Sequence, residues 1–154
     1  MEIKTLAHCG LVVRDLDKSR WFYGEVLGLK EVPRPKNFKF RGAWFRGGDS
    51  ELHLILADDT VAPPGFPDAG AAVSTGLATH LAFEVLDLTV VKARLEQYGV
   101  EIKGGPMPRG DGVMQLYLHD PDGYTLEFFQ WVDGSEVGAP ERTIVTIQGH
   151  SLSH

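Results

Sequence analysis

The chain has 154 residues, 43% hydrophobic and 23% charged, ordinary values for one globular domain that can bury a core without disulfide or metal staples. Its net charge of −6 excludes a phosphate-tracking nucleic-acid binder, which needs a basic face. A single cysteine, Cys9, excludes an intrachain disulfide framework and a Cys-rich zinc site. No apolar run reaches the ~20 residues of a membrane span, and no basic start with an apolar core marks a signal peptide. The expectation is a cytoplasmic protein without nucleic-acid or membrane partners.

In chain order, His8–Val13 is a six-residue β-rich run. Asp15 follows where a helix N-cap belongs, and Leu16, Ser19, Phe22, Tyr23 and Val26 recur at helical spacing up to a C-capping Gly28. Three strands are then expected, at Lys30–Val32, Gly42–Arg46 and Glu51–Ala57. A segment rich in Pro, Gly and Ala comes next, with Pro63, Pro64, Gly65, Phe66 and Pro67. It reads as an inter-module connection or as a flap over a pocket, with Phe66 its most interesting side chain.

The pattern then repeats. At an offset of 72, His8, Val13, Asp15 and Leu16 match His80, Val85, Asp87 and Leu88. His80–Val85 reads as a strand, Asp87 as an N-cap, Val90 to Tyr98 as a weaker amphipathic helix and Gly99 as its C-cap. Strands are expected at Glu101–Ile102, Val113–Leu118 and Tyr124–Trp131, the last two joined by a type I turn at Asp120-Pro121-Asp122-Gly123. The division is therefore a first βαβββ module at 1–57, a linker or flap at 58–79, a second βαβββ module at 80–132, and a tail at 133–154. Within the tail, Glu141–Gln148 suits an extra edge strand or a dimer arm. The fold class is α+β, with helices on the outer face of a cupped mixed sheet and a central cleft.

Four potential ligands fall at repeat-related places: His8 and His80 at strand starts, His53 and Glu127 in the last strands. Side chains alternate across a strand, so Leu52, Leu54 and Leu56 can pack on a helix while Glu51 and His53 point away. Glu127 and Phe129 face away from Leu126 and Phe128 by the same argument, and His80 with Glu84 from Leu81 and Phe83. Three imidazoles and a carboxylate on one face suit a divalent metal such as Ni, Zn, Mn, Co or Fe(II). His119, His150 and His154 lie outside the pattern. Trp44, Phe45, Phe66 and Phe129 could line a cleft, and Arg41, Arg46, Lys103 and Arg109 are available at its edges, Arg46 beside Trp44 being the strongest candidate among the basic residues.

The segments HCGLVVRDLDKSRWFYGEVLGL, GDSELHLIL, THLAFEVLDL and QLYLHDPDGYTLEFFQ resemble the vicinal oxygen chelate superfamily, which includes glyoxalase I, methylmalonyl-CoA epimerase, fosfomycin-resistance enzymes, extradiol dioxygenases and bleomycin-resistance proteins. The resemblance covers Leu6 to Gln130. It implies paired βαβββ modules around a metal, one divalent ion per site held by His8, His53, His80 and Glu127, and a homodimer acting on a small-molecule substrate. It also implies bidentate chelation of vicinal oxygens, with enolate stabilisation by a metal-dependent lyase or isomerase. Glyoxalase I has a carboxylate where this chain has His53, so proton transfer falls to Glu127 or to Glu51, two residues earlier on the same face. Two other functions fit the resemblance: an Fe(II) extradiol-type dioxygenase, needing two His and one carboxylate, and a metal-free drug-binding protein. Whether the modules pair within or between chains is open.

Overall fold

A computed structural model describes residues 2–58 and 79–132. In chain order these form β1 (His8–Val13), α1 (Leu16–Arg20) continuing as a π-helical turn (Trp21–Val26), β2 (Lys30–Val32), β3 (Gly42–Gly47), β4 (Ser50–Leu56), β5 (His80–Glu84), α2 (Leu88–Gln97), β6 (Ile102–Pro108), β7 (Val113–His119) and β8 (Thr125–Trp131). The order is βαβββ twice. Phe66 and Glu141–Gln148 lie outside the described residues.

Each module builds its own four-stranded mixed sheet, β1-β4-β3-β2 and β5-β8-β7-β6. In each, the first strand pairs parallel with the last and the others pair antiparallel. Among the described residues the two sheets share no ladder, so the cup expected as one sheet consists of two.

The helix starts follow from side-chain chemistry. Asp15 accepts from the backbone N–H of Asp17 at 3.1 Å and of Lys18 at 3.0 Å, satisfying two donors that a helix start otherwise leaves unpaired. Asp87 does the same with Thr89, at 2.8 Å. Gly28 (φ +75°) and Gly99 (φ +68°) end the helices in the left-handed region that side chains with a Cβ avoid. The first helix departs from expectation at Trp21–Val26, where Leu27 N–H bonds Phe22 C=O, five residues back, at 2.9 Å. This wider turn still keeps Phe22, Tyr23 and Val26 buried.

One core joins both modules. Leu11, Val13, Phe22, Val26, Phe45 and Leu54 of the first cluster with Leu88, Leu95, Leu116, Leu118, Leu126 and Phe128 of the second. Arg94 on α2 reaches the end of the first helix, donating to Val26 C=O and Glu25 C=O at 2.6 Å each. The Asp120–Gly123 turn closes as expected, Gly123 N–H to Asp120 C=O at 3.1 Å. It meets the end of β1, where Asp122 accepts from the backbone N–H of Arg14 at 3.1 Å.

The one strand misjudged from the sequence is β6. It runs to Pro108 rather than ending at Ile102, with two register shifts against β7. Gly104, Gly105 and Pro106 look like a turn, yet an edge strand accepts glycine and proline at irregular positions.

Candidate metal centre

The core claims one face of each sheet, and the polar residues of interest lie on the other. In β1 and β4, Leu11, Val13, Leu52 and Leu54 are buried in the core, so His8, Glu51 and His53 occupy the opposite side. His8 is cross-strand from Glu51, and His53 from Trp44. The rings form a continuous stack. Trp44 lies on His53 with centroids 3.8 Å apart and planes 3° from parallel, and His8 lies on His53 at 4.2 Å and 15°. Glu51 Oε2 sits 3.0 Å from His53 Nε2, and its Oε1 accepts from Arg46 Nε at 3.1 Å. The hydrogen bonds from His53 and then Arg46 hold the half-buried Glu51 carboxyl below its usual range. A cavity of about 320 Å³ opens beside His8, Arg46 and Glu51.

The second sheet carries the other half. Leu116, Leu118, Leu126 and Phe128 take the core side, leaving Tyr117 and Glu127, a cross-strand pair, on the free side. His80 Nε2 lies 2.9 Å from Glu127 Oε2. Glu127 is only 3% exposed, and a buried carboxylate is costly unless it is compensated. Compensation comes from His80 and from Arg109 Nη1, 3.4 Å from Oε1, with Tyr117 beside the carboxylate as its cross-strand neighbour. Burial first, then the Glu127 charge, pushes the Tyr117 phenol above its ordinary pKa. Arg109 is braced by Asp111, which accepts from Nε at 3.0 Å and Nη2 at 2.8 Å, and its guanidinium lies over Phe129 and Trp131, 5.4 and 5.8 Å from the ring centroids.

All four residues singled out from the repeat thus lie on the faces turned from the core, in two pairs: His8 with His53, and His80 with Glu127. Among the described residues no three His, Cys, Asp or Glu side chains of one chain gather closely enough to hold an ion. The donors themselves fit a divalent cation. Imidazole nitrogen and carboxylate oxygen are suitable ligands, and the buried Glu127 carboxylate is already surrounded by cationic and donor groups. Of the expected pocket residues, Trp44 backs His53, Arg46 is engaged by Glu51 and Phe129 lies under Arg109.

Two residues of this face do not stand out in the sequence: Tyr117, and Arg109, which reads only as one available basic group. Period-2 alternation through Val113–His119 carries the signal for Tyr117. Arg109 has none, because the residues of β6 that lead to it locally favour a turn.

A family model matches residues 5–128, most of the chain. The chain belongs to the Glyoxalase/Bleomycin resistance protein/Dioxygenase superfamily. Among members of this superfamily, it is 32% identical to a lactoylglutathione lyase of Neisseria meningitidis over 85% of this chain and 94% of that protein. It is 31% identical to Glyoxylase I 4 of Arabidopsis thaliana over 82% of this chain and 71% of that one. A glyoxalase/dioxygenase structure from Nostoc punctiforme superposes with a TM-score of 0.69 at 26% identity, covering 84% of this chain and 92% of that one. The paired βαβββ architecture is therefore that of the superfamily. No helix among the described residues is long and apolar enough to cross a membrane.

Proposed function

We propose that the chain is a divalent-metal-dependent, glyoxalase I-like lyase or isomerase acting on a small oxygenated substrate, with its site assembled from two copies. The observation that carries this is the buried His80–Glu127 pair, its Nε2 and Oε2 atoms 2.9 Å apart, matched at the repeat-related positions by His8 and His53. His8 and His53 of one chain with His80 and Glu127 of the partner subunit would hold the ion. The pairs do not converge within one chain among the described residues, and twofold pairing is the common way to unite two such half-sites. When bound, the ion supplies Lewis-acid stabilisation of negative charge on substrate oxygens.

The chain's own residues supply the rest. Glu51, bonded by Arg46 and His53, would receive a proton from the carbon next to those oxygens. Its lowered pKa makes it a modest base, so its contribution is position rather than strength. Trp44 and His8 restrict the His53 ring by stacking. Arg109 orients the Glu127 carboxylate.

A second reading rests on His53 Nε2, which faces Glu51. With His53 so engaged, His8, His80 and Glu127 remain as the two-His, one-carboxylate set of an Fe(II) dioxygenase. Metal content of the purified chain and of His53→Ala, with assays of lactoylglutathione formation and oxygen-dependent catechol cleavage, separates the two. Loss of metal in His53→Ala with lyase turnover in the wild type supports the first. Retained iron with catechol cleavage supports the second. A wild type that binds none of Ni, Zn, Mn, Co or Fe(II) contradicts both and leaves the metal-free binding protein.

A further inference from the structure

We propose that Gln115 is a specificity-determining residue that reads a hydroxyl group on the ligand. This rests on the function proposed above and names the class of substrate taken by the sheet face that carries Glu127. Gln115 lies on β7 two residues before Tyr117, and its cross-strand partner on β8 is Phe129, as Tyr117's is Glu127. The four therefore share one face. Gln115 is 6% exposed, and among the described residues its Oε1 is buried with no hydrogen-bond partner. Leaving a buried amide oxygen unpaired is costly, and native proteins seldom do so without a use for the group.

The polar groups around it are already committed. Arg109 gives Nε and Nη2 to Asp111 and directs Nη1 to Glu127. Glu127 Oε2 faces His80. Gln115 is thus polar capacity held in reserve, set between Phe129 across one strand and Met107 across the other. A single uncharged polar group on an apolar patch orients an otherwise apolar skeleton by one hydrogen bond. The nearby Glu127 and Asp111 disfavour an anion there. A terminal amide turns readily about its last torsion, and a hydroxyl, both donor and acceptor, suits either end of it.

Strand geometry sets the spacing. Two residues along β7 place Gln115 about 7 Å from the Tyr117–Glu127 row. The ligand is therefore a compound whose vicinal oxygens lie at Glu127 and whose apolar body carries a hydroxyl about 7 Å away. An α-hydroxy acid with a hydroxylated aromatic ring meets that description.

Calorimetric binding of 3-hydroxymandelate and of mandelate to the wild type, Gln115→Leu and Gln115→Met, with and without Mn(II), tests this. The wild type is expected to favour the hydroxylated compound by about tenfold. Both variants should bind the two compounds equally and unfold at a higher temperature, because the unpaired amide is gone. Equal affinity in the wild type, binding of neither compound, a preference that survives in the variants, or a lower unfolding temperature in both variants would each overturn it. Binding of Ni(II), Zn(II), Mn(II), Co(II) and Fe(II) measured on the same samples separates the two claims. Binding of none of them with an intact hydroxyl preference contradicts the proposed function alone, and metal binding without the preference contradicts this inference alone.

Discussion

Tyr23, on the first module's helix, donates its hydroxyl to Asp120 Oδ2 at 2.7 Å, at the start of the second module's last turn, and both residues are buried. Asp120 Oδ1 also accepts from the backbone N–H of Asp122 at 2.9 Å and of Tyr124 at 2.8 Å. From the same turn, Tyr124 donates its hydroxyl to Val12 C=O on β1 at 3.0 Å. One turn thus ties the end of β1 and the first helix to β8, the strand that carries Glu127.

Removing the Tyr23 hydroxyl leaves a buried carboxylate oxygen without its donor. Tyr23→Phe is expected to lose about 1–3 kcal/mol of unfolding free energy with no change in volume. Urea denaturation followed by tryptophan fluorescence measures it; a loss below a few tenths would show that the bond contributes little.

Asp120 also sets a pH dependence. Burial, the largest influence, outweighs its hydrogen bonds and raises its pKa above the ordinary carboxylate value. The folded state therefore holds the proton more tightly than the unfolded chain. The stabilising contribution is complete below the unfolded pKa and is lost as pH rises through the folded one. Relative to Asp120→Asn, which has no such titration, the wild type should be at its best in acid and fall behind as pH climbs through that window. Thermal unfolding of both proteins across the acidic range tests this, and a difference that does not vary with pH, or grows in the wild type's favour as pH rises, contradicts it.

Much of this frame is legible in the sequence because the repeat doubles every signal. His8–Val13 and Lys30–Val32 fall at their expected bounds, and the Asp15 and Asp87 caps, the Gly28 and Gly99 stops and the Asp120–Gly123 turn all lie where local chemistry places them. What escaped is tertiary in origin. The π-helical turn at Trp21–Val26 depends on packing that brings Tyr23 to Asp120, nearly a hundred residues away. Strand β6 contains residues that locally favour a turn, and only pairing with β7 holds them extended. The ring stack of Trp44, His53 and His8 requires two strand registers at once, which no single segment reveals.

The Asp15 cap, outside the site, stabilises the start of the first helix. Asp15→Ala removes two side-chain hydrogen bonds from the helix start and is expected to cost about 1 kcal/mol. Asp15→Asn should recover most of it. Chemical denaturation of the three proteins reads both effects, and equal loss in the two variants would assign the stabilisation to charge rather than to capping.

Gly42 on β3 is required for a different reason. A Cβ there would lie 2.3 Å from Leu54 C=O, a backbone atom of the neighbouring strand that carries His53. Gly42→Ala must push β3 from β4 and is expected to cost about 1–3 kcal/mol. The strain should also loosen the Trp44–His53 stack, seen as a changed tryptophan emission. Unchanged stability and emission would show that β4 yields freely.

The two-copy site is tested most directly by mixing chains with complementary lesions. His8→Ala/His53→Ala and His80→Ala/Glu127→Gln are each expected to bind no divalent ion at stoichiometric concentration. Unfolded together and refolded as a mixture, they should regain Ni(II) binding, measured by calorimetry, because each mixed dimer unites the intact pair of one chain with that of the other. Binding by either variant alone, or a mixture as inert as its components, would contradict a centre built from His8, His53, His80 and Glu127 across two chains.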